Sequence, residues 1–413
     1  MEIEQKPFDL LIVGGGMVGS ALGCAMADAG LEVCILEVHE PARTWPADEV
    51  DIRVSALTRA TQQILQNLKV WPRMTQMRVS PYQRMTVWDQ GGSGRIHFCA
   101  AEIGEPDLGH IVENRVMQLA LWERLESLSN VTLKYPARVA DLRLGGQPEV
   151  LLESGERLAA GLVVAADGRD SQIRQMAGIG TQGWEYDQHA IVATISPERF
   201  HHDTAFQRFM KTGPLALLPI GDGRCSIVWS TAPGHATELM ALDDREFCLR
   251  LTQASESILG EIKSIGPRGV FPLRLANAQT YIQPGLALIG DAAHAMHPLA
   301  GQGVNLGLMD AMTLADVLNE ARLAGRSLGS MATLRRYERA RKGANLAMLG
   351  AMDGFKRLFS NDVLPLKLAR NLGLSLVDRS GFLKHQMMRR AMGLVGERPR
   401  LARYAAGAAR ERV

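Results

Sequence analysis

The feature that most constrains this chain is a glycine motif directly after its first apolar run. Residues 8–13 read as a buried strand, and Gly14-Gly15-Gly16-Met17-Val18-Gly19 follows at once. The alanine-rich stretch from Val18 to Ala29 is expected to form a helix. A second strand, Glu32 to Leu36, then leads to Glu37. This order of strand, Gly-x-Gly-x-x-Gly, helix, strand and acid predicts a dinucleotide-binding fold.

Each glycine of the motif has a separate task. Gly14 makes the tight turn, Gly16 lets the backbone approach a pyrophosphate, and Gly19 lets helix and strand pack closely. The helix N-terminus offers unpaired N–H groups and a positive dipole end to the phosphates. Glu37 is expected to accept hydrogen bonds from ribose hydroxyls. A purely structural turn is the alternative for so short a motif.

A second glycine-rich segment distinguishes FAD from a nicotinamide dinucleotide. The apolar run from Leu286 to Ile289 leads to Gly290-Asp291, where a carboxylate can accept from a polyol such as ribitol. After a turn at Pro298, a helix is expected to start near Gly303, with apolar residues at steps of three and four. Its N-terminus would face the flavin edge that gains negative charge on reduction. The alternative is an ordinary strand, loop and buried helix.

A third strand and turn lie between these segments. The strand is expected to end at Ala166 and to be followed by Asp167-Gly168 and a short helix closed by Gly178, with Asp170 or Ser171 as its cap. A strand followed by Asp-Gly is common in α/β domains, so this segment decides nothing alone.

In this order and spacing, the three segments resemble the group A flavoprotein monooxygenases of the p-hydroxybenzoate hydroxylase type. The run from His297 to Asp310 is similar, without a mismatch, to the signature of the ubiquinone-biosynthesis aromatic hydroxylases. Asp51 to Leu57, Val112-Glu113-Asn114 and Phe271-Pro272-Leu273 agree with that family. The likeness covers the chain from about Asp9 to about Arg390.

Two local features bear on the position of the chain within the family. Pro81-Tyr82 and Met176 to Gly180 are most similar to the branch that hydroxylates 2-octaprenyl-3-methyl-6-methoxy-1,4-benzoquinol. Ala165 departs from the family pattern, in which glycine is usual, and adds one methyl group at a strand end.

The resemblance implies which residues hold FAD. Gly14, Gly16, Met17, Gly19 and Glu37 would contact the adenosine end, Arg53 and Gln118 the central part, and Val139 the adenine. Asp167 and Gly168 would contact the pyrophosphate region, and Asp291 the ribitol. The flavin ring would be contacted by Pro298, Gly301, Gly303, Val304 and Asn305. For Arg53 the alternative is a surface or salt-bridged arginine.

The resemblance also implies the reaction. NADH or NADPH would reduce FAD, O2 would add to the reduced flavin, and the flavin hydroperoxide would transfer oxygen to a polyprenylated phenol or benzoquinol of ubiquinone biosynthesis. Because the chain has one Gly-x-Gly-x-x-Gly, the nicotinamide cofactor is expected to bind transiently. No catalytic residue is assigned, although His294 and His297 flank the flavin loop. His297 is the candidate proton relay, with a structural histidine as the alternative.

Three other functions stay open on these grounds. They are a flavin-dependent reductase or oxidase of the same fold without oxygen transfer, a hydroxylase of a soluble aromatic substrate, and an idle FAD-bearing scaffold in a biosynthetic assembly.

Composition and charge narrow the class of protein. Its 413 residues are 46% hydrophobic, and a net charge of +2 gives no reason to propose nucleic acid binding. No stretch approaches the roughly 18 apolar residues of a membrane span. An acidic N-terminus that runs directly into the first strand predicts no cleavable signal and a cytoplasmic location. Five cysteines without a Cys-x-x-Cys pair fit a reducing compartment and count against metal sites and disulfides.

The patterns predict an α/β fold in which a Rossmann-like FAD-binding domain is interleaved with an antiparallel substrate sheet. The FAD-binding domain is expected at 1–80, 109–180 and 277–345, the substrate domain at 81–108 and 181–276, and C-terminal helices at 346–413. The substrate sheet is predicted from four β-like runs, Ala190 to Ile195, Ala205 to Phe209, Leu215 to Ile220 and Cys225 to Ser230.

The C-terminal region is basic and partly amphipathic. From Lys384 onward, seven arginines face two glutamates, and Leu383, Met387, Met388 and Met392 add apolar surface. Such a tail can lie on an anionic membrane or on a partner protein. We predict peripheral, salt-sensitive association with anionic membranes or a ubiquinone-synthesis complex, weakened by truncation after Gly381. A solvated helical tail is the alternative.

Overall fold

The computed structural model describes residues 7–90, 94–295, 303–359 and 376–404. In chain order the strands are β1 (Phe8–Val13), β2 (Val33–Leu36), β3 (Val54–Leu57), β4 (Ser80–Tyr82), β5 (Arg84–Asp89), β6 (Arg95–Cys99), β7 (Gly109–Glu113), β8 (Val131–Lys134), β9 (Val139–Arg143), β10 (Glu149–Leu152), β11 (Arg157–Ala165), β12 (Thr181–Pro197), β13 (Thr204–Met210), β14 (Gly213–Pro219), β15 (Cys225–Thr231), β16 (Ile262–Ile265), β17 (Gly269–Ala278), β18 (Ile282–Gln283), β19 (Leu286–Leu288) and β20 (His294–Ala295). The α-helices are α1 (Met17–Asp28), α2 (Arg59–Asn67), α3 (Trp71–Met77), α4 (Asn114–Glu126), α5 (Gln172–Met176), α6 (Pro233–Ala241), α7 (Asp244–Ala254), α8 (Gly303–Leu323), α9 (Met331–Phe359) and α10 (Gly381–Ala391).

The dinucleotide fold is built on a sheet whose central strands are parallel. Its order is β18-β19-β11-β1-β2-β8, with β10 beside β11 and β9 beside β10. Val13 at the end of β1 lies level with Leu36 of β2 and Ala165 of β11. The central strands are mostly buried, as expected of parallel strands covered on both faces. The strand, helix and strand predicted for residues 8–36 are confirmed.

The helices predicted beside the glycine segments begin where the sequence placed them. α1 starts at Met17 and packs against α4 and α8. α8 starts at Gly303. The cap of α5 is Ser171, whose hydroxyl oxygen accepts a hydrogen bond from the N–H of Arg174 at 3.0 Å, and this settles the choice between Ser171 and Asp170.

The second sheet has the order β20-β17-β12-β15-β14-β13-β5-β6, with β16 beside β12. It contains the four predicted runs as β12, β13, β14 and β15, paired antiparallel in the order β12-β15-β14-β13. One pair departs from the prediction, because β13 and β5 are parallel. More than a hundred residues separate these two strands in the chain, so no hairpin fixes their relative direction. A small third sheet joins β3, β7 and β4.

The two faces of the second sheet differ sharply. One face carries large apolar side chains such as Ile191, Ile227 and Trp229, which form a core with residues of α6 and α7. Alternation along the strands directs Ala190, Val192 and Thr194 of β12, with Ser226 and Val228 of β15, to the opposite face. That second face carries smaller and partly polar side chains, and it is the one that lines a cavity.

The C-terminal elements pack back onto the rest of the chain. α9 is 29 residues long and spans Met331–Phe359. Met388 of α10 and Met392 just beyond it form an apolar cluster with Ala100 and Leu108. No helix of the described residues is long and apolar enough to cross a membrane. The domain boundaries at about residues 80, 109, 181, 277 and 346 stay a prediction.

Candidate functional site

The predicted glycine segments meet at the carboxyl edge of the parallel sheet. β2 and β8 lie on one side of β1, whereas β11 and β19 lie on the other. The strand order therefore reverses between β1 and β11, and open α/β sheets bind ligands in the crevice outside such a point. Gly14, which follows β1, and Asp167, which follows β11, face each other across it. A β-carbon on Gly14 would lie 2.8 Å from the Asp167 nitrogen.

The three motif glycines meet different surroundings. Gly14 has φ +105°, and a β-carbon there would lie 2.4 Å from the Ala166 carbonyl oxygen. A β-carbon on Gly19 would lie 2.0 Å from the Gly14 carbonyl oxygen, so both positions exclude a side chain. A β-carbon on Gly16 would meet nothing within 4 Å. The fold itself therefore does not require glycine at position 16, and the open space beside it is available to a ligand.

Glu37 is held against the glycine loop by backbone N–H groups. Its carboxylate accepts hydrogen bonds from Gly15 N–H at 2.7 Å and from Val38 N–H at 2.6 Å. The carboxylate also lines a cavity of about 450 Å³ together with Gly14, Gly16 and Val139. The carboxylate is therefore positioned by the loop and still borders the space where a ribose is expected.

Asp167 has an incompletely used carboxylate. One oxygen accepts from Ile173 N–H at 3.1 Å, whereas the other is buried without a hydrogen-bond partner. Burial raises the pKa of this carboxyl, and its hydrogen bonds oppose that rise only partly. A buried acceptor without a partner is costly unless a ligand or water supplies a donor.

Arg174 connects two of the predicted cofactor segments. Its buried guanidinium donates to the Ala292 carbonyl oxygen at 2.9 Å and to the Arg169 carbonyl oxygen at 3.0 Å. These bonds fix the turn at Gly168 relative to the turn that contains Asp291. No role for Arg174 could be predicted from sequence, because both of its acceptors are backbone atoms that no motif identifies.

A second cavity of about 380 Å³ continues from the first, and the two share Gly16, Ala166 and Gly168 in their walls. One wall of the second cavity is formed by the predicted cofactor residues Met17, Arg53, Asp291, Gly303 and Val304. The opposite wall is the face of the second sheet described above, with Ala190, Val192, Ser226 and Val228. Together the cavities form an extended space that runs from Glu37 to the second sheet.

Ser226 adds polarity to that otherwise apolar wall, and Thr194 is its neighbour on the same face of the sheet. They pair across β12 and β15, and the hydroxyl oxygens of both are buried without a hydrogen-bond partner. The neighbouring Val192, Val228 and Phe271 are apolar. The sequence predicted that this sheet borders the substrate but not which of its faces does so, because the residues on both faces of β12 and β15 are mainly apolar or small.

Asn305 serves the fold through its side chain. Its amide oxygen accepts from Thr58 N–H at 3.0 Å and from the Thr61 hydroxyl at 2.7 Å, and its amide nitrogen donates to the Ala56 carbonyl oxygen at 2.8 Å. The side chain therefore ties α8 to the end of β3 and the start of α2. Asn305 lines neither of the two cavities.

A buried ion cluster fixes α8 behind the cavity. Asp310 accepts from Arg341 Nε at 2.7 Å, from the Asn345 amide at 3.1 Å and from Gly290 N–H at 3.2 Å, and it pairs with His294. Burial alone would raise the pKa of Asp310, but the charges of His294 and Arg341 and their hydrogen bonds hold it well below its usual range. His294 therefore supports the loop, which favours its structural interpretation.

The other predicted site residues fall into two groups. Arg53 is exposed at the cavity rim, and no salt bridge involving it occurs in the described part of the chain. Gln118 lies one turn after Asn114 on α4 but lines neither cavity, whereas Asn114 does. Pro298, Gly301 and the candidate relay His297 lie outside the described residues.

The arrangement is that of an extended dinucleotide site. Within the residues that the structure describes, no group of three or more histidine, cysteine or carboxylate side chains could hold a metal ion.

A family model described as an FAD binding domain matches residues 8–349. The chain belongs to the FAD binding domain family.

Two relatives support this assignment over nearly the full length of the chain. The 3-demethoxyubiquinol 3-hydroxylase of Escherichia coli (strain K12) is 41% identical over 393 residues, which covers 95% of this chain and 100% of that protein. The ubiquinone hydroxylase UbiL of Rhodospirillum rubrum is 41% identical over 404 residues, covering 97% and 93% of the two chains. The resemblance drawn from the motifs is thus confirmed at the level of the family.

A solved structure shows the same fold at low sequence identity. The p-nitrophenol 4-monooxygenase PnpA from Pseudomonas putida DLL-E4 matches with a TM-score of 0.77 and 17% identity, over 95% of this chain and 99% of that chain.

As a member of the FAD binding domain family, the chain has FAD as its cofactor. The residues fit that cofactor, because the open space at Gly16 suits a pyrophosphate and the free oxygen of Asp167 needs a donor.

Proposed function

We propose that this chain is an FAD-dependent monooxygenase that hydroxylates the ring of a polyprenylated benzoquinol in ubiquinone biosynthesis. O2 and NADH or NADPH would be its co-substrates. The observation that carries the proposal is the cavity between the FAD segments and the second sheet, which is continuous with the adenosine-side cavity. The relatives named for ubiquinone chemistry support the substrate class.

In this proposal, bound FAD supplies the activation of O2, and the chain supplies position and environment. Gly16 and the start of α1 would hold the pyrophosphate, Glu37 the ribose and Asp291 the ribitol. Val192, Val228 and Phe271 would keep water from the ring of the substrate. The hydroxyl of Ser226 would orient a ring oxygen of the substrate, since it is buried without another partner.

Isotope labelling tests the reaction. Purified protein supplied with NADH or NADPH, a prenylated benzoquinol and labelled O2 is expected to yield a hydroxylated product that carries one labelled oxygen. Mass spectrometry of the product measures the incorporation. Label that arrives from water instead would reject oxygen transfer from O2.

The same assay separates the remaining alternatives. A reductase or oxidase of this fold would consume the nicotinamide without a hydroxylated product. An idle scaffold would stay yellow and would be reduced by neither NADH nor NADPH. Turnover of tail-less phenols alone would favour a hydroxylase of soluble aromatic substrates.

We further propose that α10 brings the protein to its lipid-soluble substrate. Phe382 is 74% exposed and Leu383 is 48% exposed, and the exposed Arg389 and Arg390 follow on the same helix. Exposed apolar side chains beside arginines suit the surface of an anionic membrane. Lys384 and Met388 are buried against the rest of the chain, so truncation after Gly381 would also disturb packing. Point substitutions are therefore the sharper test.

The double substitution Phe382→Ser and Leu383→Ser is expected to reduce binding to anionic vesicles several-fold at low salt. Flotation with phosphatidylglycerol-containing vesicles measures the bound fraction. The control replaces the comparably exposed Leu249 and Leu323, which lie on α7 and α8, with serine. Equal flotation of wild type and both double variants would show that α10 is not the membrane contact.

A further inference from the structure

A separate apolar cavity of about 160 Å³ lies beneath α10. Its walls include Met85 and Phe98 of the second sheet, Leu218 of β14, and Met388 and Met392 at the C-terminal end. Among the residues that the structure describes, those lining this cavity carry no charge. Methionine side chains are unbranched and flexible, so this wall can adapt to an irregular hydrocarbon chain.

This cavity adjoins, along β3, the cavity of about 380 Å³ between the FAD segments and the second sheet, hereafter the ring cavity. Val54 and Ala56 point to the same side of β3. Val54 lines the ring cavity, and Ala56 lines the cavity beneath α10. One apolar cluster contains Ala56 and Leu218, with Val54 and Val228 packed against it. The boundary between the two cavities is therefore made of apolar side chains.

At its other end the cavity reaches the protein surface. Met387 lines the cavity and is also 42% exposed. Leu383 lies one turn earlier on the same side of α10 and is exposed as well. The helix is anchored by Lys384, whose Nζ lies 2.8 Å from a Glu102 carboxylate oxygen and donates to the His97 carbonyl oxygen at 3.2 Å. The opening thus lies beside the apolar surface that we assign to membrane contact.

We propose that the cavity beneath α10 binds the first isoprene units of the substrate's polyprenyl tail. The tail leaves the ring cavity between Val54 and Leu218 and emerges beside Met387, from where its remainder stays in the lipid. This inference rests on the proposed function, since it assumes a prenylated substrate. The match of an uncharged, apolar cavity to an isoprenoid chain, and its position between ring cavity and surface, carry the assignment.

Filling the cavity tests the proposal. Ala205→Leu adds bulk inside it, and Ala391→Trp adds bulk at its edge, because Ala391 lines the cavity and is exposed at the end of α10. Both variants are expected to lower kcat/KM for a geranyl-substituted benzoquinol about tenfold or more, mainly through KM. Turnover of the same benzoquinol with a methyl group in place of the tail should stay within about twofold. Ala241→Trp, at the exposed end of α6, is the matched control.

A labelling experiment gives a readout that does not depend on turnover. A benzoquinone whose geranyl tail carries a photoreactive diazirine is expected to label residues of α10 and β5 in the FAD-loaded protein. Labelling confined to other segments, or equal loss of both substrates in the filled variants, would overturn the tail assignment. If neither benzoquinol is hydroxylated but α10 is still labelled, the proposed reaction fails and the tail site stands.

Discussion

Replacing Gly16 with valine is expected to abolish FAD binding while the protein stays folded. The structure leaves open space where the new side chain would point, so the apoprotein has room for it. The same space is where the pyrophosphate would lie, and a branched side chain there would clash with it. We expect FAD affinity to fall about 100-fold or more, since a few kcal/mol of overpacking corresponds to such a factor. Flavin absorbance of the purified protein and FAD titration measure the loss.

The control for this prediction is Gly234→Val. Gly234 also has open space at its β-carbon position, but it lies near the start of α6 and lines neither FAD cavity. That variant is expected to purify with the same FAD content as wild type. Full FAD occupancy in Gly16→Val, or recovery of FMN from the wild-type protein, would contradict our assignment of the glycine loop.

Removal of the Asp310 carboxylate is expected to cost more stability than any exposed ion pair. Asp310→Ala would leave Arg341 and His294 buried without their shared partner. Breaking a buried ion pair in this way lowers the free energy of unfolding by about 3–5 kcal/mol. Urea unfolding at neutral pH measures the change. The control, Glu320→Ala, removes an exposed partner of Arg336 and should cost less than about 1 kcal/mol.

The pH dependence of this contribution follows from the low pKa of Asp310 in the folded protein. Its unfolded pKa is about 3.9, so the stabilisation is fully present above that pH. It is lost as the pH falls through the lower folded pKa. An Asp310→Ala variant that unfolds at the same urea concentration as wild type would show that the cluster does not stabilise the fold.

The cofactor side of the site could be predicted because its parts are local in sequence. The turn at Gly14, the turn at Gly168 and the start of α8 at Gly303 each follow from a short run of residues with recognisable turn and helix preferences. A parallel sheet then brings the ends of its strands to one edge. The strand order β11-β1-β2 is sufficient to assemble these segments.

The features that could not be predicted depend on partners far away in the chain. The partner of Asn305 is the segment from Ala56 to Thr61, about 250 residues earlier, and no sequence pattern links the two. The wall made by Val192 and Ser226 depends on which face of β12 and β15 meets the FAD segments. Alternation defines the two faces but does not say which one is the core.

The interleaving of the two sheets along the chain has a consequence for synthesis on the ribosome. β11 gains its neighbour β19 only after residue 286 has emerged, and Gly307 must arrive before α8 can pack on Val18. Until then β11 presents one parallel edge without a partner, which is the kind of strand that recruits other chains. FAD therefore enters a site that is complete only after α8 has been synthesised, and a chain arrested before α8 is the species most in need of a chaperone.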